Sequence, residues 1–440
     1  MSLGGRLASQ STIIFGGRLF GAGLIFLVQA FIARVWGAAF LGEYLLIIAA
    51  VNLIAVAMPL GFQTIGTYFA AEYRARQDRR QLTAFLGRAY GHVAVAFVVV
   101  ALGGPIVLEL LGQGDSVIAD HFMPVALLAL ATALVYVSAG VLVGLKRPFA
   151  GFFADGIFRP MVILGTFAVC AAVFDAPADG FSAMLWIIAV GYVAIAVVHF
   201  AIVVTTLKRI DDLAPARASE VHRWWRFAAP WVLITLATDF FFDIDLLLLA
   251  NLLGKEELAI FGVCTRIFSL VSFGVAAVYA VTLPDMFESE AKDDRAAFHR
   301  KVGEANLVAT LVSIGLLVLV VIGGQFALLL FGEGFTAGAL PLAILCVALV
   351  VRSAMGPASM VLSIHDRPWA SLPAVALGMG TLVLGNILLV PPFHLVGAAM
   401  AALIGITVWS VMLWGIALRT ARIDVSIMQW FRARRLAAAG

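Results

Sequence analysis

Leu102-Gly-Gly-Pro-Ile-Val-Leu-Glu-Leu-Leu-Gly-Gln-Gly114 returns 220 residues later as Ile322-Gly-Gly-Gln-Phe-Ala-Leu-Leu-Leu-Phe-Gly-Glu-Gly334. Six of the thirteen positions are identical and four of those six are glycine. Two further segments repeat in the same order: Lys146-Arg-Pro-Phe-Ala150 matches Asp366-Arg-Pro-Trp-Ala370, and Gly37-x3-Leu41-x2-Tyr44 matches Gly254-x3-Leu258-x2-Phe261. A period of half the chain length marks a tandem duplication. The motif lies at the end of the third apolar run in the first copy and of the ninth in the whole chain, so each copy holds six runs. Because six is even, both copies enter a membrane with the same orientation, as parallel repeats about an axis along the membrane normal.

The apolar runs are long enough to be membrane spans. Of 440 residues 63% are hydrophobic and 12% charged, whereas a soluble domain carries roughly a quarter charged residues. A spanning helix needs about 20 mostly apolar residues. Such runs fall at about 12–34, 43–71, 89–111, 122–145, 149–174, 181–207, 227–253, 258–286, 304–330, 338–363, 369–390 and 395–418. The chain therefore reads as an all-α polytopic membrane protein of about twelve transmembrane helices, divided into residues 1–207, a polar connector 208–226 containing Pro215, residues 227–418 and a basic tail 419–440. The first run is too long for a signal-peptide core and lacks a cleavage site. The loops are too short to fold as a catalytic domain, so no catalytic residue is assigned. Cys170, Cys264 and Cys346 fall in three different spans and suggest reduced thiols, neither a disulfide framework nor a metal site. No cofactor is implied.

Twenty-three of the 29 Lys and Arg residues lie on one side if twelve spans alternate. They are Arg6 and the clusters at Arg74 to Arg88, Lys146 and Arg147, Lys208 to Arg226, Lys292 to Lys301, Arg367 and the tail from Arg419 to Arg435. Positive charge is retained in cytoplasmic loops, which predicts that both termini are cytoplasmic. The basic balance is explained by topology, so no nucleic-acid partner is expected. Ile423, Ile427, Trp430 and Phe431, interleaved with Arg432, Arg434 and Arg435, predict an amphipathic helix on an anionic leaflet.

Ionisable groups inside spans are costly and mark pathways or pairs. Arg18, Arg159, Arg266 and Arg352 stand against Asp155, Asp239, Asp243 and Asp245. Asp155 and Arg159 are four apart and can neutralise one another on one helix face, either as a local pair or as part of a cavity. Asp239 and Asp243 share that spacing with like charge, so a proton or Na+ between them would relieve repulsion; the alternative is that each pairs with an arginine on a neighbouring helix. Asp245 points elsewhere around the helix. Arg266 and Arg352 have no acidic residue within a turn, and guanidinium suits a phosphate ligand; pairing with the span 7 aspartates is equally consistent.

Arg34-Val-Trp-Gly37-Ala-Ala-Phe-Leu-Gly42-Glu-Tyr44, Asp245 with Gly254 and Phe261, and Leu330-Phe-Gly-Glu-Gly-Phe335 together resemble oligosaccharide-lipid (O-antigen type) flippases of the multidrug/oligosaccharidyl-lipid/polysaccharide exporter superfamily. The resemblance covers essentially the whole chain and departs from the family pattern at Leu246, Ala250 and Ile260. It implies a V-shaped transporter of two six-helix lobes in a bacterial inner membrane. Its cargo would be an undecaprenyl-pyrophosphate-linked oligosaccharide, flipped from the cytoplasmic to the periplasmic leaflet by alternating access. Arg18, Arg159, Arg266 and Arg352 would form a cationic substrate cavity, and Asp239, Asp243, Asp245 and Asp155 would couple transport to H+ or Na+ antiport. Implied partners are membrane lipids and the glycan polymerase and ligase of the same pathway. Two other functions compete: a drug or cation antiporter of the same superfamily, which would favour an acidic cavity, and a membrane enzyme of glycan assembly, which would need a large loop.

Overall fold

The computed structural model describes residues 3–213, 220–291, 295–364, 368–420 and 422–431. Pro215, Arg217, Lys292, Arg367, Arg432, Arg434 and Arg435, which contribute to the charge and connector readings above, lie outside the described residues. The first six-helix repeat consists of α1 (Leu3–Val35), α2 (Ala38–Ala57 and, past a kink, Phe62–Ala75), α3 (Arg79–Leu110), α4 (Phe122–Gly144), α5 (Pro148–Val173) and α6 (Pro177–Leu207). The second consists of α7 (Val221–Asp239, then Phe241–Leu249), α8 (Lys255–Ala291), α9 (Arg295–Leu329), α10 (Ala339–Met355, continued by Ala358–Ile364), α11 (372–393) and α12 (395–420).

Ten helical runs among the described residues have the length and hydropathy of a span. One of them, Trp369–Thr420, holds both α11 and α12, and the interrupted α7 completes twelve. The protein is a multi-pass membrane protein, and the helix order repeats as the duplication requires.

Several boundaries differ from the hydropathy reading, each for a local reason. Polar, helix-favouring sequence carries α2 and α3 beyond the apolar runs, to Ala75 and back to Arg79. Asp78 caps α3 by accepting a hydrogen bond from the Gln81 amide at 3.0 Å. Arg88 is therefore within α3 and not in a loop. The predicted loop Pro391-Pro-Phe-His394 is helical up to a single residue, His394, whose φ of 49° and ψ of −125° turn the chain from α11 into α12.

The chain divides into two compact units, residues 1–243 and 244–440, whereas the sequence reading drew the division through 208–226. In the first unit the two ends of the connector are fastened to the turn between α2 and α3. The Leu213 amide donates to the Gln77 carbonyl at 3.0 Å, and the Asp211 amide donates to the Gln77 side chain at 3.2 Å. On the other side Arg223 forks onto Glu72 at 2.8 and 3.0 Å and reaches Glu220 at 2.9 Å. Tyr73 donates to Glu220, and the buried Trp224 donates to Tyr73, both at 2.7 Å. Burial alone would raise the Glu220 carboxyl, but the Tyr73 hydroxyl and the Arg223 guanidinium outweigh it and hold that carboxyl below its ordinary value near 4.5.

In the second unit residues 422–425 are non-helical, with Arg422 at φ 57°, and helix resumes only at 428–431. Ile423, Asp424, Val425 and Ser426 are buried, so the segment is an inserted strap where an amphipathic surface helix was expected. The side chains of Ile423 and Val425 are held by the protein interior, while Met428 and Phe431 beyond them are exposed. The Asn306 side-chain amide donates to the Val425 carbonyl, the Ile427 amide donates to the Ala354 carbonyl at 2.8 Å, and the Trp414 indole donates to Asp424 at 2.9 Å. Gly356, at φ 79°, lies so close to the Val425 carbonyl that a Cβ would collide with it. The three cysteines are buried free thiols.

Candidate functional site

The polar groups of the first unit converge on a distorted turn in α5. Pro160 has no N–H to donate to the Gly156 carbonyl and its ring presses on that carbonyl. The chain absorbs the fault as a π-helical turn over Ala154–Phe158, a distortion found often at functional sites. The bulge carries Asp155 and leads into Arg159, of which only Arg159 is buried. Arg159 Nη1 donates to Asp155 at 2.5 Å, and Nη2 donates to Thr132 on α4. The guanidinium also stacks 4.1 Å from the Tyr192 ring centroid on α6. Arg159 is 6% exposed, while the Asp155 side chain is 55% exposed, so the pair has a buried cationic end and an open anionic one. Of the two readings left open by the i,i+4 spacing, the structure shows the local pair.

Around it, Tyr136 on α4 lies within electrostatic range of Asp155, Arg159 and Asp243. Asp243 is buried and accepts from Asn52 Nδ2 on α2 at 3.1 Å. Arg18 on α1 is exposed, with its guanidinium 4.3 Å from the Phe152 ring. One turn along α1, Gly21 meets the Gly156 carbonyl so closely that no side chain fits, and this contact holds α1 against the bulge.

The expected Asp239 and Asp243 pair is not formed on one continuous helical face. Helix α7 stops at Asp239, Phe240 adopts φ −117° and ψ 22°, and helix restarts at Phe241. The break removes the i,i+4 register on which the shared-ion argument rested. Asp239 is exposed and accepts from Thr238 at 3.0 Å, whereas Asp243 is buried against Asn52. Proximity in sequence does not survive a helix break.

In the second unit Asp245 on α7 is completely buried and accepts from Asn386 Nδ2 on α11 at 2.7 Å. The other oxygen of Asp245 and the amide oxygen of Asn386 are both buried without a hydrogen-bond partner. Two unsatisfied oxygens on hydrogen-bonded partners, one from a carboxylate, suit a proton or a small hard cation. Arg266 on α8 is half-buried. Arg352 on α10 is exposed, with its guanidinium 5.8 Å from the Trp409 ring on α12. The four arginines thus divide two and two between the units. Among the described residues no three His, Cys, Asp or Glu side chains form a metal-ligating group.

Charge counting missed the uncharged half of both clusters: Asn52, Thr132, Tyr136, Tyr192 and Asn386. A usable signal was present, since the chain has only four asparagines, Asn52, Asn251, Asn306 and Asn386. An amide inside a span is nearly as unexpected as a charge.

Comparison with known proteins agrees with this architecture. The sequence signature described as "Polysaccharide biosynthesis protein" matches residues 7–290. No curated protein matches the chain. Among solved structures, an inward-facing multidrug resistance MATE family transporter of the MOP superfamily aligns with a TM-score of 0.70 at 14% identity, covering 97% of this chain and 98% of its own. The lipid II flippase MurJ, in an inward closed conformation, aligns at 0.68 and 11% identity, covering 96% and 90%. A MOP superfamily transporter from Pyrococcus furiosus aligns at 0.61 and 12% identity, covering 97% and 96%. At such identities the structures establish the fold, and the signature, spanning well over half of the chain, establishes the family. The chain belongs to the polysaccharide biosynthesis protein family and is built on the twelve-helix fold of the MOP-superfamily transporters.

Proposed function

We propose that the protein flips an undecaprenyl-pyrophosphate-linked oligosaccharide from the cytoplasmic to the periplasmic leaflet of a bacterial inner membrane. The family match over residues 7–290 carries this reading, and a flippase of a lipid-linked cargo among the structural neighbours supports it. Arg18 in the first unit and Arg266 and Arg352 in the second are each candidate contacts for a phosphate-bearing cargo, because guanidinium retains its charge in lipid surroundings and grips phosphate oxygens in pairs. Arg159, already engaged with Asp155, positions the bulge. Coupling to H+ or Na+ is assigned to Asp245 with Asn386, whose two unpartnered oxygens form the candidate ion seat, with Asp243 next in rank and Asp239 below it. Both termini are placed in the cytoplasm by the distribution of basic residues. A glycan polymerase and ligase would act next on the flipped product.

The rival reading, a drug or cation antiporter, draws on the MATE neighbours. It requires net negative charge where these spans carry four arginines against four aspartates. Thermal unfolding of the purified protein separates the two. A pyrophosphate-linked oligosaccharide should raise the unfolding midpoint of the wild type and not that of Arg266→Ala or Arg352→Ala. Stabilisation by lipophilic cations and not by the lipid-linked glycan would overturn the assignment.

A further inference from the structure

A groove of about 720 Å³ runs between α2 and α3 in the first unit, lined by Ile54, Met58, Arg88, Gly91, His92 and Val99 among others. It is apolar along most of its length and cationic at one end. Depth along α3 explains the arrangement. Helix α3 has 32 residues, about 48 Å at 1.5 Å per residue, so it overshoots a hydrocarbon core of roughly 30 Å. With Leu110 at one boundary, Arg88 lies about 33 Å away, at headgroup level on the other side, and the apolar groove extends from there into the core. The outer face of α3 is open, with Val95, Val99 and Leu102 at 66%, 64% and 73% exposure, so the groove is reached laterally from lipid.

Two side chains at the polar end lack partners. Arg88 is exposed, and no carboxylate pairs with it among the described residues. His92 Nδ1 is buried without a hydrogen-bond partner, although its ring is held between Phe62 at 4.8 Å and Trp225 at 5.1 Å. The Arg88 guanidinium is thus the group at this end open to an anion, and the packed His92 ring beside it forms part of the groove wall.

We propose that this groove seats an anionic phospholipid of the leaflet beside Arg88. One acyl chain lies along the groove, and the phosphodiester accepts from the Arg88 guanidinium at its polar end. A single cation matches the single negative charge of a phosphodiester better than the higher charge of a pyrophosphate. The site is therefore separate from the transported cargo and does not depend on its identity. Its place in the fold gives it leverage: the groove wall at Met58 and Leu60 is the kink of α2, and Trp225, which holds His92, belongs to the start of α7.

Native mass spectrometry of the purified full chain, titrated with phosphatidylglycerol, phosphatidylethanolamine or polyprenyl phosphate, tests this. The wild type should retain one phosphatidylglycerol per chain. Arg88→Ala should retain it about tenfold more weakly, with partial recovery in Arg88→Lys. Gly91→Leu should lose it by filling the groove, since a Cβ at Gly91 meets nothing within 4 Å. Unfolding midpoints confirm that the variants are folded, and Arg88, on an exposed face, decides the matter if Gly91→Leu is not. Equal retention by wild type and Arg88→Ala would overturn the proposal. So would equal affinity for phosphatidylethanolamine, or displacement of phosphatidylglycerol by an equal amount of polyprenyl phosphate.

Discussion

At the residue scale, burial and hydrogen bonding separate groups that composition treats alike. Arg159 is anchored by Asp155, Thr132 and the Tyr192 face. Arg159→Ala should lower stability by about 2 kcal/mol, below the full cost of splitting a buried pair because Asp155 is half in the open. Arg159→Lys should recover only part of this, as it keeps charge but loses the fork. Denaturant or thermal unfolding in detergent measures both. Asp245 behaves in the opposite sense. Asp245→Asn removes an uncompensated buried charge while keeping shape, so its unfolding midpoint should equal or exceed that of the wild type, even where ion-driven transport is lost. A marked destabilisation would identify Asp245 as a structural ion-pair partner.

At the element scale, the departures from regular helix organise the chain. Pro160 and Gly156 make the bulge in α5, and Gly21 lets α1 close on it. Gly21→Val should force the two helices apart at a cost of about 1–3 kcal/mol, whereas the same change at Gly23, where a Cβ meets nothing, should cost little. Gly356→Ala meets both a positive φ and the Val425 carbonyl, so the strap at 422–428 should detach and become cleavable by added protease. The connector latch responds to pH. Glu220 is held below its ordinary value, so its contribution is complete above pH 4.5 and fades as pH falls through the lowered value. The difference in unfolding midpoint between wild type and Glu220→Gln should therefore be positive at pH 7 and shrink as pH falls through the lowered value, below 4.5. A difference that persists unchanged into acid would show that Glu220 acts through shape alone.

At the scale of the whole molecule, the twelve-helix plan was legible because lipid demands long apolar runs and a duplication leaves its period in the glycines. Two of the breaks were not legible. Phe240 has no distinctive local composition and the turn after Pro59 lies inside one apolar run, whereas the turn at His394 fell in the gap between runs that Pro391-Pro392 marks. The same blindness misplaced Asp239 and Asp243 on one face and laid the strap on the membrane surface, since a segment with Ile423 and Val425 reads alike whether protein or lipid covers it. The charged members of the sites were found because charge is rare in a span, while Asn52 and Asn386, equally rare, were passed over. The central claim is gradient-driven flipping of a lipid-linked oligosaccharide with the ion seated at Asp245 and Asn386. Proteoliposomes containing a fluorescent pyrophosphate-linked oligosaccharide, with an imposed pH or Na+ gradient, measure it directly as the fraction of label that becomes accessible to an impermeant quencher. The gradient should accelerate flipping by wild type and leave Asp245→Asn at its gradient-free rate; equal acceleration of both proteins, or none in either, would rule out ion coupling at Asp245.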